Sequence, residues 1–201
     1  SQTILFTKAG YLQMSTSKRR IVRFLRSPMR FFTMTIPFVW YLGTTLLFIA
    51  RYGLVSSVVF QRFLSFSFDW MVCSHFNVSP LAICYSRYLS LIIAGVLFHL
   101  QHSVNTPYRK RSAEWSHTDA SMHGSSWLLV PFPLSFFTCG IEFHPIHHLN
   151  TKVPSYRIAQ CHAQCMSEAW YNPTQVDWRL ALTSLRNVML DEDTGRLTPF
   201  D

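Results

Sequence analysis

No acidic residue occurs before Asp69, and charged residues of either sign make up only 14% of the chain. Soluble domains carry about 25% charged residues, so this sequence is short of the charge that keeps a surface wet. Cysteine is sparse and unpatterned: Cys73, Cys84, Cys139, Cys161 and Cys165 are odd in number and irregularly spaced, which gives no disulfide framework. Cys161-His162-x-x-Cys165 offers too few ligands for a zinc site of its own. Linkers, internal repeats and low-complexity tracts are absent, and residues 1–201 are expected to form a single portion of one domain.

What is present is apolar and basic. Phe, Trp and Tyr make up 15% of the residues, and the mean hydropathy is +0.14. The net charge of +8 would suit nucleic acid, but its placement argues against that partner. Lys18, Arg19, Arg20, Arg23, Arg26 and Arg30 crowd against the start of an apolar segment, as at a cytoplasmic membrane flank.

Phe31 to Ala50 is an uncharged run of twenty residues, enough to cross a hydrocarbon core of about 30 Å. Pro37 and Gly43 are tolerable inside it. A second span is expected over Leu81 to Leu100, with Arg87 near enough to its start to snorkel outward. Tyr52 to Pro80 reads as a short re-entrant or interfacial piece. Arg109, Lys110 and Arg111 follow the second span, so both basic flanks are expected on the cytoplasmic side. Trp127 to Ile141 is apolar but short, carries Pro131 and Pro133, and is expected to lie in the interface. Further on, Asn172-Pro173 reads as a helix start. Trp178, Leu182, Leu185 and Met189 then supply one packing face, and Asp191-Glu192-Asp193 with Gly195 forms a solvated end.

Histidine carries the chemistry. Of nine histidines, five fall in two clusters: His99-x-x-His102 at the end of the second span, and His144-Pro145-Ile146-His147-His148. Positions i, i+3 and i+4 share one helix face, and neutral imidazole is the commonest side-chain metal ligand. Pro145 suits the first turn of a helix, with His144 at its cap. The topology brings both clusters to the same side of the bilayer, and the five residues His99, His102, His144, His147 and His148 are the candidate ligands. His117, His123 and His162 fall outside the clusters and read as supporting or surface residues.

Several motifs, in order, resemble the integral-membrane fatty acid desaturases, particularly the acyl-lipid delta-12 (omega-6) type. Phe98-His99-Leu100-Gln101-His102 is similar to the segment between that family's second and third histidine boxes. Glu114-Trp115 and Gly124-Ser125-Ser126 resemble the approach to the third box, Ile141 to Asn150 the box itself, and Val153-Pro154-Ser155-Tyr156-Arg157 the stretch after it. Arg23 to Pro28 and Leu190-Asp191-Glu192-Asp193 also have counterparts, so the likeness runs over roughly Lys8 to Phe200. The two earlier boxes, H-x-x-x-H and H-x-x-H-H, have no match upstream of His99, where His75 stands alone. The resemblance therefore implies the C-terminal portion of a longer enzyme.

It implies an all-α integral-membrane protein with two spans here and four in the intact molecule, under a cytoplasmic histidine-rich cap. It also implies two non-haem irons, a membrane-lipid acyl chain as substrate, dioxygen, and a b-type cytochrome or ferredoxin as electron donor. Removing two hydrogens from unactivated methylenes demands a strong oxidant, which paired irons and dioxygen provide. Soluble di-iron bundles mix carboxylates with histidine. Glu142 and Glu114 are the only carboxylates near these clusters, so imidazole must carry the ligation. His147 and His148, about 100° apart on a helix, would address different metals. Endoplasmic reticulum, plastid and bacterial membranes all host such enzymes. Other readings are a hydroxylase or epoxygenase on the same scaffold, a non-catalytic remnant without the first two boxes, and a zinc-binding membrane protein.

Overall fold

Helices carry most of the chain in the computed structural model, which describes residues 6–53, 57–105 and 115–200. Two compact units are distinguished: Phe24–Val96, and a second drawn from Ser1–Arg23 with Leu97–Asp201. The chain enters through α1 (Lys8–Leu12), whose N-cap Thr7 side chain accepts from the Gly10 N–H, and the basic helix α2 (Thr16–Leu25).

The unit Phe24–Val96 is built from long apolar helices. Helix α3 (Pro28–Tyr52) and helix α5 (Pro80–Ser103) have 25 and 24 residues and are long and apolar enough to cross a membrane. Each contains the span expected from sequence and extends beyond it. Proline near the start favours α3 at that end, since its fixed φ suits the first turn and its missing N–H has no partner there. Pro37 then removes a donor from the helix interior. The helix widens into π turns on either side of it, Phe31–Thr35 and Val39–Gly43, so that the Ile36 N–H reaches the Phe31 carbonyl. Gly53, at φ 75°, ends α3 in a conformation that side chains disfavour.

Helix α4 (Ser57–Phe76) replaces the short interfacial piece expected over Tyr52 to Pro80: it is a regular helix of twenty residues, closed by Asn77 at φ 53°. Arg87 of α5 does not simply snorkel. Its guanidinium pairs with Asp69 of α4 at 2.7 Å, which explains how both charges are accommodated among apolar helices. The Tyr88 hydroxyl donates to the Thr33 carbonyl of α3 at 2.7 Å. Close by, a Cβ on Gly95 would meet Ile36 Cγ2 at 2.8 Å.

In the unit that includes Leu97–Asp201, α6 (His117–His123) is capped by Ser116 and followed by β1 (Ser126–Leu128). A short helix α7 (Ser135–Thr138) and a 3-10 turn (Ile141–Phe143) lead into α8 (His144–Leu149), then α9 (Ser155–Cys165). β2 (Thr174–Val176) pairs in parallel with β1, Ser126 opposite Thr174. After α10 (Trp178–Ser184), β3 (Met189–Asp191) and β4 (Arg196–Thr198) form an antiparallel pair. Met122, Ile146, Ile158 and Tyr171 are the buried centre, with Phe143, Leu149, Val153, Cys161 and Cys165 packed around them. Ile146 thus anchors α8 from its apolar side.

The helical expectation holds for most of the chain, and the described residues add two small two-stranded sheets to it. Asn172-Pro173 does not start a helix: Asp177 does, its carboxylate accepting from the Leu180 N–H at 2.8 Å. An ionised oxygen three residues before a free N–H is the better cap. α10 ends at Ser184, and Met189 goes to β3 rather than to a helical face. Nor is Asp191 to Gly195 a loose end. The Asp191 carboxylate accepts from the Asp193 N–H at 3.0 Å and pairs with Lys8 at 3.3 Å, closing the hairpin.

Overpacking at the α3–α5 approach gives a test. Gly95→Val should destabilise the chain in detergent micelles by about 1–3 kcal/mol, read from circular dichroism melts. Gly43→Ala, whose added methyl would sit 3.6 Å from Val39 of its own helix, should melt with the parent. A Gly95→Val melt equal to the parent's would refute the close approach.

Candidate metal centre

Three imidazoles converge where the end of α5 meets α8. His102 lies in the last turn of α5, and His144 and His148, one turn apart, share a face of α8. His144 Nε2 is 3.0 Å from His102 Nε2 and 3.1 Å from His148 Nε2. One ligand atom from each of the three lies within 4.8 Å of the others. α8 starts one residue earlier than the cap reading placed it: His144 is its first residue and Phe143 its cap.

The protons explain what this cluster is suited to hold. His102 Nδ1 sits 2.8 Å from the Gly124 carbonyl, which has no proton to give, so Nδ1 carries the hydrogen and Nε2 keeps its lone pair. His144 Nε2 faces two nitrogens and can donate to one at most. His144 Nδ1 is buried without a hydrogen-bond partner among the described residues, a cost of about 1–3 kcal/mol. A shared cation resolves the crowding of lone pairs. Nitrogens bound to one ion at about 2.0–2.1 Å lie about 3.0–3.4 Å apart in adjacent positions. The residues present therefore fit a metal of the imidazole-preferring kind, iron and zinc among them.

The rings are held neutral, the state that ligates. Burial, followed by the nearby His102, His148 and His147 rings, pushes His144 down to about 3. Burial, then His102, His147 and His117, pushes His148 down to about 4.

The other expected ligands stand apart from this trio. His147 is half-buried and its ring lies over that of His144, centroids 5.6 Å apart, without joining the nitrogen cluster. His99 Nε2 donates to the Ser184 carbonyl at 3.0 Å. His117 bonds the Leu149 carbonyl at 3.0 Å, and His123, exposed, the Asp119 carbonyl at 3.0 Å. His162 is buried between Trp127 and Phe143 and bonds the Tyr171 hydroxyl at 2.7 Å. Glu142 is buried but is taken by the Thr138 hydroxyl, and Glu114, like Arg109, Lys110 and Arg111, lies outside the described residues. Cys161 and Cys165 pack into the core and join no candidate metal group among the described residues.

Three partners were not legible from side-chain motifs: the carbonyls of Gly124, Ser184 and Ile141, the last accepting from the Gln101 amide at 2.7 Å. Any residue supplies a carbonyl, so sequence carries little trace of them. Gly124 is the exception, because a Cβ there would collide with the Ala120 carbonyl.

No family model matches the chain. It is 32% identical over 104 residues to a fatty acid desaturase of Bacillus subtilis (strain 168), a match covering 52% of this chain and 29% of the relative. It is 26% identical over 95 residues to the chloroplastic omega-6 fatty acid desaturase of Spinacia oleracea, covering 46% of this chain and 21% of that one. The matches thus span less than a third of either relative's length. This chain is similar to fatty acid desaturases.

Two outcomes follow from the geometry. In micelles, the chain should bind Co2+, and His102→Ala, His144→Ala or His148→Ala should each weaken binding at least tenfold, on the order of a lost metal contact. His123→Ala should bind as the parent does, and absorption titration would expose the reverse pattern. Without metal, the unfolded chain takes up protons on these rings below about pH 6.5, whereas folded His148 and His144 resist down to about 4 and 3. Stability is therefore full above about pH 6.5 and is lost as pH falls towards 4. Melts in chelator from pH 7.5 to 4.5 should show that decline; a flat profile would contradict it.

Proposed function

We propose that this chain is part of a membrane acyl-lipid desaturase, of the delta-12 or omega-6 kind, that introduces a cis double bond into a lipid acyl chain. The observation that carries the proposal is the convergence of His102, His144 and His148 through their Nε2 atoms. The similarity to fatty acid desaturases, one of them named omega-6, supports the substrate class. Overall, an acyl –CH2–CH2– unit, dioxygen, two electrons and two protons become –CH=CH– and two waters. Two non-haem irons with dioxygen would supply the oxidising power, and a b-type cytochrome or ferredoxin the electrons.

Within that scheme each residue has a task. His102, His144 and His148 would hold one metal ion. The Gly124 carbonyl keeps His102 in the tautomer that presents Nε2, as an outer hydrogen bond does for many ligating histidines. His147, set to one side of the trio, would serve a second ion. His99 completes the ligand set only by leaving the Ser184 carbonyl or by using its other ring nitrogen. Ile146, Pro145 and the core beneath α8 keep water from the rear of the cluster.

The test is product analysis. The gene's complete product, expressed in yeast, should yield a new unsaturated fatty acid methyl ester. His147→Ala and His148→Ala should each reduce it to background at normal protein level, and residues 1–201 alone should form none. His123→Ala should keep most of the product. Hydroxylated rather than unsaturated ester, or full desaturation by His148→Ala, would overturn the assignment.

A further inference from the structure

Helix α2 separates charge from apolar surface more sharply than any other element. At about 100° per residue, Arg19, Arg20 and Arg23 fall within one arc of about 100°. Ile21 and Leu25 lie near the centre of the opposite side, with Phe24 at its edge; Lys18, in the first turn, is the one cation on that side, where its long stem can carry the ammonium outward. That apolar side is uncovered: Ile21 is 60% exposed, Phe24 51% and Leu25 42%. A solvated helix has no reason to expose this stripe, whereas a helix lying at a lipid–water boundary does.

Beside the cationic arc is a cleft of about 370 Å3 lined by Lys8, Tyr11, Thr16, Arg19, Arg20 and Arg23. Its charge is poorly compensated. Lys8 is paired with Asp191 at 3.3 Å. Arg19 donates to the carbonyls of Met14, at 2.9 Å, and Leu12, which leave its charge in place. Arg20 and Arg23 are exposed and have no hydrogen-bond or ion-pair partner among the described residues. In sequence, α3 begins three residues beyond α2, so these cations adjoin a helix apolar enough to cross a membrane.

We propose that α2 and this cleft bind an anionic phospholipid, with Arg20 and Arg23 holding the headgroup phosphate and Ile21 and Leu25 lying along the acyl chains. Phosphate suits guanidinium donors through charge-assisted hydrogen bonds. Nucleic acid would satisfy the cations equally well, but it leaves the apolar side unexplained, so the lipid is favoured. This site is separate from the histidine cluster and does not depend on the reaction proposed above.

The experiment uses the 201-residue chain in detergent micelles, with lipid binding counted by native mass spectrometry. Phosphatidylglycerol should bind at least tenfold more tightly than phosphatidylcholine of the same chains. Raising the salt should weaken that preference, as screening of exposed charge requires. R20Q/R23Q should lose at least tenfold in phosphatidylglycerol affinity, lose less for phosphatidylcholine, whose choline offsets the phosphate charge, and retain the parent's circular dichroism. Equal binding of the two lipids by the parent chain would overturn the proposal without any variant. So would inorganic phosphate or an RNA oligonucleotide displacing phosphatidylglycerol at equal concentration.

Discussion

The end of α5 is bonded to backbone carbonyls on three separate segments, and the C-terminal architecture depends on that set of contacts. His99 reaches Ser184 at the end of α10, Gln101 reaches Ile141 ahead of α8, and His102 reaches Gly124 after α6. Asn105 adds a fourth, to the Ser125 carbonyl at 2.7 Å. Gln101 is almost fully buried, and a buried amide left without its partner is costly. One helix terminus thereby fixes where α6, α8 and α10 stand. The imidazole cluster forms because His102 and α8 are both tied to it.

The same economy explains the electrostatics. Three rings, with His144 Nε2 about 3 Å from a nitrogen of each of the other two and no carboxylate among them, cannot share protons comfortably. Burial and mutual repulsion keep them neutral. Neutral rings, in turn, are what a metal requires. The cluster is thus an arrangement that resists protonation and accepts a cation, which is a physical description of a ligand set before any reaction is assigned to it.

How much of this was legible in the sequence can be judged residue by residue. Apolar length revealed α3 and α5, because a long uncharged run is a local property of the sequence. It missed α4, whose Arg62 and Asp69 break the run. The compensation of Asp69 lies in Arg87, eighteen residues away, where no local window reaches. The spacing of His144 and His148 foretold a shared face, since a helical period is local. His99 shows the limit of that reasoning. Spacing accounts for His147, whose ring lies over that of His144 on the same helix, but the Ser184 carbonyl that takes up His99 depends on tertiary packing. The small sheets were out of reach for the same reason, as β1 and β2 pair across nearly fifty residues.

Carbonyl anchoring has a consequence for how this region tolerates change. Because the peptide oxygen belongs to every residue, the acceptors at positions 141 and 184 survive substitution of their side chains, and drift there leaves the bonds of His99 and Gln101 in place. Position 124 is different: it must supply an oxygen and also lack a Cβ. The framework around the histidines is therefore robust at two of its anchors and brittle at the third. The brittle one is the anchor that sets the proton on His102.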